Sequence, residues 1–197
     1  MKRLSIMIVR VLVIGLVAFG CLHRPASQTD TNWITLLDGS SLDHWNRVGN
    51  ANWRLEDGVV QADKGSGHLV SKNSYTVFRI RAGVWIDPAA NSGIFIRCTD
   101  PQKISSKNSY EVNIYDQRPD PDYGTGAIVD VAKVSPMPKA GGRWNTVEIT
   151  AKGPQLTVVF NGTRTVNVQD SKYARGPIAL QYSAGVVKFR KLEIKPL

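Results

Sequence analysis

Phe78-Arg79-Ile80-Arg81-Ala82-Gly83-Val84-Trp85-Ile86 is the stretch that decides the fold. Phe78, Ile80, Ala82, Val84 and Ile86 fall on one side of an extended chain, with Arg79, Arg81, Gly83 and Trp85 on the other. Side chains alternate along a strand but return every three or four residues in a helix, so these residues read as a strand with one face in a core. The same alternation recurs downstream. Ile94 and Ile96 oppose Gly93, Phe95 and Arg97, and Val112 and Ile114 oppose Glu111, Asn113 and Tyr115. Val147, Ile149 and Ala151 oppose Thr146, Glu148, Thr150 and Lys152, and Ile178 and Leu180 oppose Ala179, Gln181 and Ser183.

Turn residues close these runs. Asp57-Gly58 sits between Arg54-Leu55 and Val59-Val60, and Asn161-Gly162 separates residues 156–160 from residues 164–168. Both are two-residue hairpin signals. Asn161-Gly162-Thr163 also spells a glycosylation sequon, but the turn reading is preferred. In the last run the phase slips between Phe189 and Leu192, which predicts a bulge. About a dozen strands without helices predict one all-β domain over residues 33–197, built as a two-sheet antiparallel β-sandwich or jelly roll.

Residues 1–20 read differently. Lys2, Arg3 and Arg10 precede an apolar stretch at residues 11–20, which is shorter than the roughly 20 residues a bilayer span needs. It suits a secretory signal peptide. The stretch ends in Ala18-Phe19-Gly20-Cys21, which resembles a bacterial lipobox with Cys21 as the lipidated residue. An ordinary cleaved signal with an incidental Cys21 is the other reading. Residues 21–32 are polar and serve as a tether. The expectation is an exported, membrane-anchored lipoprotein, periplasmic or on the cell surface.

The 197-residue chain carries 25 Lys and Arg against 16 Asp and Glu, a formal charge of +9. Removing the leader's three basic residues leaves 22 against 16. The basic residues are spread through strands and loops, interrupted by acidic ones, with no tract or stripe. A dedicated nucleic-acid surface is therefore not expected. Two cysteines exclude a disulfide framework and a cysteine-rich zinc site.

Motifs are mostly negative. There is no phosphate-cradling glycine loop, metalloprotease helix signature or serine-nucleophile elbow. His23, His44 and His68 read as surface histidines, and Cys98 as a buried or incidental thiol. Asp116, Asp120 and Asp122 cluster, yet Pro119 and Pro121 make that segment equally a stiff exposed loop. No metal site or cofactor is expected, and no oligomeric state follows.

The polar sides of the strands carry more information. If adjacent strands bear them, Arg81, Trp85, Phe95, Arg97, Glu111, Asn113, Tyr115 and Gln181 share one sheet face. Aromatic rings stack on sugar rings while polar side chains bind hydroxyls, so such a face suits carbohydrate. An Arg97–Glu111 cross-strand ion pair on a solvated sheet accounts for the same residues.

Motifs in order along the chain resolve this choice only by resemblance. They are Leu36-Leu37-Asp38-Gly39 with Leu42 and Trp45, Trp53 with Glu56-Asp57-Gly58, Asn91-Ser92-Gly93-Ile94-Phe95-Ile96-Arg97, and Tyr110-Glu111-Val112-Asn113-Ile114-Tyr115-Asp116. Thr125-Gly126-Ala127-Ile128, Trp144-Asn145, Asn161-Gly162, Ile178-Ala179-Leu180-Gln181 and Phe189-Arg190 follow. With these the chain resembles the 3-keto-disaccharide hydrolase domain family, of concanavalin A-like lectin/glucanase fold, across residues 33–197. The resemblance implies a hydrolase that cleaves glycosides whose sugar is oxidised at C3.

A standard glycosidase needs two carboxylates, and this face offers one on a strand, Glu111. One base suffices if the 3-keto group acidifies the C2 proton and elimination is followed by addition of water. In that scheme Glu111 is the base, Arg97 steadies the enolate, and Asp116 joins the catalytic group. Arg81, Trp85, Phe95, Asn113, Tyr115 and Gln181 bind substrate. The chain departs from the family at Arg79, Gly83, Asn113 and Ser183, where acidic residues, Gln and His respectively are common. The alternative is a non-catalytic, lectin-like carbohydrate-binding envelope lipoprotein, and a weaker one is an envelope protein whose sheet face binds a protein partner.

Overall fold

The computed structural model describes residues 32–197. The leader, Cys21, His23 and all but the last tether residue lie outside the described residues.

Thirteen strands follow one another: β1 (Ile34–Leu37), β2 (Trp45–Gly49), β3 (Arg54–Glu56), β4 (Val59–Ala62), β5 (Gly67–Tyr75), β6 (Phe78–Ile86) and β7 (Asn91–Ile96), then β8 (Tyr110–Ile114), β9 (Arg143–Lys152), β10 (Gln155–Phe160), β11 (Thr163–Gln169), β12 (Gly176–Ala184) and β13 (Val187–Pro196). Among the described residues there is no α-helix, only a 3-10 turn at Pro121–Tyr123. The strands form two antiparallel sheets. One has eight strands in the order β11-β10-β9-β6-β13-β4-β3, with β1 also paired to β13. The other has five, in the order β2-β5-β12-β7-β8. The chain is an all-β sandwich, as the alternation predicts.

The alternating apolar residues do meet in one core. Phe78, Ile80 and Val84 of β6 are fully buried, as are Ile94, Val112, Ile149 and Leu180. Each fully buried side chain of this size contributes about 1.5–3 kcal/mol. Both expected hairpins form. Asp57 and Gly58 join β3 to β4 with φ of 51° and 71°, and Asn161 and Gly162 join β10 to β11 with φ of 50° and 79°. Left-handed backbone at both positions is what a tight hairpin matched to strand twist requires. The predicted bulge is present too: β13 loses register with β6 between Arg190 and Glu193, where Lys191 has φ of 47°.

The sheet assignment corrects one expectation. β6 lies between β9 and β13, so Arg81 and Trp85 project from the eight-stranded sheet. Phe95, Glu111, Asn113 and Gln181 project from the five-stranded sheet, on β7, β8 and β12. Both sets point away from the core, so they face opposite sides of the sandwich. Alternation places a side chain in or out of the core but does not say which sheet its strand joins.

Candidate functional site

The five-stranded sheet brings two adjacent rows of residues to its outer face. Register puts Val48, His68, Gln181, Gly93 and Asn113 in line across the sheet. Beside them run Asn46, Val70, Ala179, Phe95 and Glu111. Outward-facing rows are ordinarily solvated, but these are covered towards β7 and β8, while Asn46 at the β2 end stays exposed. Ile104, from residues 97–109, packs with Val70, Phe95, Cys98 and Ala179 in a second small apolar cluster. Residues 115–134 cover the β8 edge, where the Val129 amide donates to the Glu111 carbonyl at 3.0 Å and the Asn113 amide to the Ala127 carbonyl at 3.0 Å.

The cover leaves polar atoms in an unusual state. His68 Nε2, Asn113 Oδ1 and Gln181 Oε1 are shut off from water and have no hydrogen-bond partner. A buried polar atom without a partner costs about 1–3 kcal/mol, so three on one small face demand an explanation. The Asn113 amide is held by its Nδ2, which donates to the Tyr123 carbonyl at 2.7 Å and leaves Oδ1 facing the site. The His68 ring meets Phe95 edge to face, with centroids 5.2 Å apart. Gly93 keeps the centre open. A Cβ there would lie 3.5 Å from both Gln181 Oε1 and Glu111 Cγ, filling the space between them.

Burial sets the charge state. It raises the Glu111 carboxyl to about 7, opposed by the positive Arg118 and reinforced by Asp130. It lowers His68 to about 4, so its imidazole is neutral near pH 7. Glu111 is thus a carboxyl that exchanges protons near neutrality, bordered by unpartnered acceptors and an aromatic ring.

Three other expected residues take different roles. Arg97 stands just past β7 with φ of 54°, which swings it out of the strand's alternation. The residue is 1% exposed, and its guanidinium donates to the carbonyls of Thr76 (3.2 and 2.6 Å), Gly153 (2.9 Å) and Tyr173 (3.1 Å). Arg97 therefore pins three loops. It neither pairs with Glu111 nor faces the site. Asp116 accepts from Thr125 Oγ1 at 2.6 Å and from the amides of Ala140 (2.9 Å) and Gly141 (3.0 Å), so its carboxylate clamps a loop. Tyr115 lies one residue beyond β8 and is half-buried.

The acidic segment holds no gathered ligand set. Asp122 pairs with Lys133 at 2.7 Å, and Asp120 accepts the Asp122 amide at 3.1 Å. Among the described residues no group of three His, Cys, Asp or Glu could hold a metal ion. Cys98 is buried, and its thiol is pushed up to about 12 by burial, which makes it unreactive.

Two members of the site escape a strand-by-strand reading of motifs. His68 is half-buried on the site face, not a surface histidine, while His44 is exposed as expected. The alternation of His68 and Val70 about the buried Leu69 is the signal that finds it. Arg118 lies in a loop with no periodicity, and only the fold brings its charge to Glu111.

Similarities to known proteins agree with this architecture. No curated protein matches the chain in sequence. Two solved structures from Parabacteroides distasonis ATCC 8503, both provisionally named glycosyl hydrolases, share the fold. One has a TM-score of 0.76 at 19% identity, covering 84% of this chain and 94% of that one. The other has a TM-score of 0.71 at 24% identity, covering 84% and 99%. The carbohydrate binding module CBM66 from Bacillus subtilis follows at 0.62 and 16% identity, covering 77% and 95%. The 3-keto-alpha-glucoside-1,2-lyase-like domain matches residues 32–195, nearly the whole described chain, and the protein belongs to that family.

Proposed function

We propose that the outer face of the five-stranded sheet binds a 3-keto-glycoside and cleaves it by elimination, with water then adding to give net hydrolysis. The observation that carries this reading is a proton-exchanging Glu111 beside unpartnered Asn113 Oδ1 and Gln181 Oε1. Both amide oxygens accept hydrogen bonds, and sugar hydroxyls donate them. The neutral His68, its ring held edge to face against the buried Phe95, supplies the apolar surface for a pyranose ring. Family membership supports the substrate class.

In the ionised form Glu111 takes the C2 proton, which the 3-keto group acidifies, and the electron pair delocalises as an enolate. The positive Arg118, whose field already reaches Glu111, steadies that charge in place of Arg97. The enolate collapses to a C1=C2 double bond as the C1–oxygen bond breaks. Protonated Glu111 returns the proton to the departing oxygen, and water adds across C1 and C2. A pKa near neutrality lets one carboxyl serve both transfers. One carboxylate meets this need, whereas direct glycoside hydrolysis calls for two.

The test is incubation with 3-keto-trehalose, 3-keto-lactose and their unoxidised parents, following aglycone release by the wild type and by Glu111→Gln. The expected result is release from the keto-sugars alone, lost in the variant. Turnover of the unoxidised parents alone, or wild-type rates in Glu111→Gln, overturns the assignment. Binding of keto-sugars without any turnover would establish the lectin-like alternative. We further assign the protein to the bacterial envelope through Cys21, supported by Ala18-Phe19-Gly20-Cys21. Cys21→Ser is expected to move it from the membrane to the soluble fraction of cells.

A further inference from the structure

The two segments that cover Glu111 are tied together by one residue. Among the described residues, Asp130 makes every hydrogen bond that joins residues 97–109 to residues 115–134. Its Oδ2 accepts from Lys107 Nζ at 2.8 Å and from Ser106 Oγ at 3.1 Å. A tight turn presents it. The Ile128 amide donates to the Ala132 carbonyl at 3.0 Å, and the Ala132 amide donates back to the Ile128 carbonyl at 2.8 Å. At the tip Asp130 has a φ of 61°, a left-handed backbone that glycine adopts with less strain. Aspartate also tolerates it, and adds a carboxylate. One residue earlier, the Val129 amide donates to the Glu111 carbonyl at 3.0 Å. The turn that is fastened to β8 at Glu111 thus also closes the seam of the cover.

The charges around Glu111 lie along the same seam. Phe95 of β7 and Gln181 of β12 carry none, Arg97 turns away, and His68 of β5 is neutral near pH 7. Arg118 and Asp130 remain, and after burial they act on the Glu111 carboxyl with opposite sign. Asp130 is in turn held below the usual carboxylate range by its bonds from Lys107 and Ser106, with Arg118 adding to the effect. Lys107 and Asp130 are both exposed, so screening keeps their influence on Glu111 modest.

We propose that Asp130 is a positioning residue for Glu111, fastening the two covering segments together beside the β8 edge and setting the charge that the carboxyl meets there. The proposal rests on Glu111 as the base of the elimination. Asp130 touches no reacting atom and acts through Glu111 alone. Its negative charge opposes loss of the Glu111 proton, and Lys107 offsets part of that charge. The two members of one ion pair therefore act on Glu111 in opposite directions. A purely mechanical tie does not do this, because loosening it from either side admits water alike.

The test titrates the Glu111 carboxyl by NMR in the free protein and measures kcat/KM for 3-keto-trehalose against pH, at fixed ionic strength. The rate is expected to rise with pH as Glu111 ionises. Asp130→Asn keeps an acceptor for Ser106 and Lys107 but removes the charge, so both midpoints move down, by roughly half a pH unit. Lys107→Met leaves Asp130 without its cation, so both midpoints move up, by less. Ser106→Ala loosens the tie with no change of charge and shows what loosening alone does. Unchanged unfolding midpoints show that these variants fold. Equal downward shifts in all three variants, or no shift in Asp130→Asn, would overturn the proposal. A titration that moves while the rate profile stays fixed would instead break the reading of Glu111 as the base.

Discussion

The two outer faces of the sandwich carry similar kinds of residue in opposite physical states. On the eight-stranded sheet the charges are compensated, paired with opposite charges or stacked on rings, as with Arg81 beside the buried Glu193 and Arg190 over Trp144. On the five-stranded sheet, segments from residues 97–109 and 115–134 cover the part of the face over β7 and β8. Glu111 is 9% exposed, and three polar atoms lack partners. Composition does not separate the two faces. Desolvation without compensation does, because a buried carboxyl and unpartnered polar atoms cost free energy that paired or stacked charges do not. One face withdraws a carboxyl from water without a paired cation, and the other compensates the charges it carries.

The sharpest way to break this contrast is at Glu111. Glu111→Gln is expected to lower kcat for 3-keto-trehalose by about 100- to 10,000-fold, the usual contribution of a general base. Loss of the fold would show up as a lower unfolding midpoint, and none is expected.

Stability against pH probes the same desolvation. Fold and burial raise Glu111 from 4.5 to about 7, so the native chain keeps a proton that the unfolded chain has released. Its contribution is complete below pH 4.5 and is lost as pH rises through 7. His68, lowered from 6.5 to about 4, runs the other way: its contribution is present above pH 6.5 and is lost as pH falls towards 4. The two slopes oppose each other between pH 4.5 and 6.5. Denaturant unfolding should therefore find Glu111→Gln more stable than the wild type at pH 8, by up to about 3 kcal/mol, with the gap closing below pH 4.5. Equal stability at pH 8 would mean that water reaches the carboxyl.

Gln181→Met sharpens the contrast from the ligand's side. It removes an unpartnered acceptor, so stability is expected to hold or rise while kcat/KM for the keto-sugar falls about tenfold. A loss of stability would show that Gln181 has a structural partner. The smallest effect belongs to the other sheet. Arg81→Met leaves the buried Glu193 with only Lys191 at 3.9 Å, costing about 1 kcal/mol of stability. Its kcat/KM is expected to stay within about twofold of the wild type, which a substrate-binding Arg81 would contradict.

Much of this architecture can be read from particular residues. Alternation in residues 78–86 places Phe78, Ile80 and Val84 in the core, and the Asp57-Gly58 and Asn161-Gly162 turns join the strands expected. The phase slip after Phe189 becomes the bulge at Lys191. Pairing at a distance is not legible in the same way. β6 meets β13 more than a hundred residues later, and nothing local to Arg81 or Trp85 says so. Arg97 deceives for a different reason: alternation holds only within a strand, and one left-handed residue past its end turns the side chain elsewhere. Arg118 reaches Glu111 from a loop, where no period exists to be read. His68 was accessible to the period-two pattern, but a single histidine carries no motif.

The proton at C2 offers the most direct test of the account. Cleavage of 3-keto-trehalose is run in D2O and the released keto-sugar examined by NMR, with uncatalysed exchange measured alongside. Removal of that proton by Glu111, followed by addition of D2O across C1 and C2, predicts deuterium at C2 above the background, and neither cleavage nor excess label with Glu111→Gln. Wild-type cleavage that leaves the C2 proton in place would contradict it.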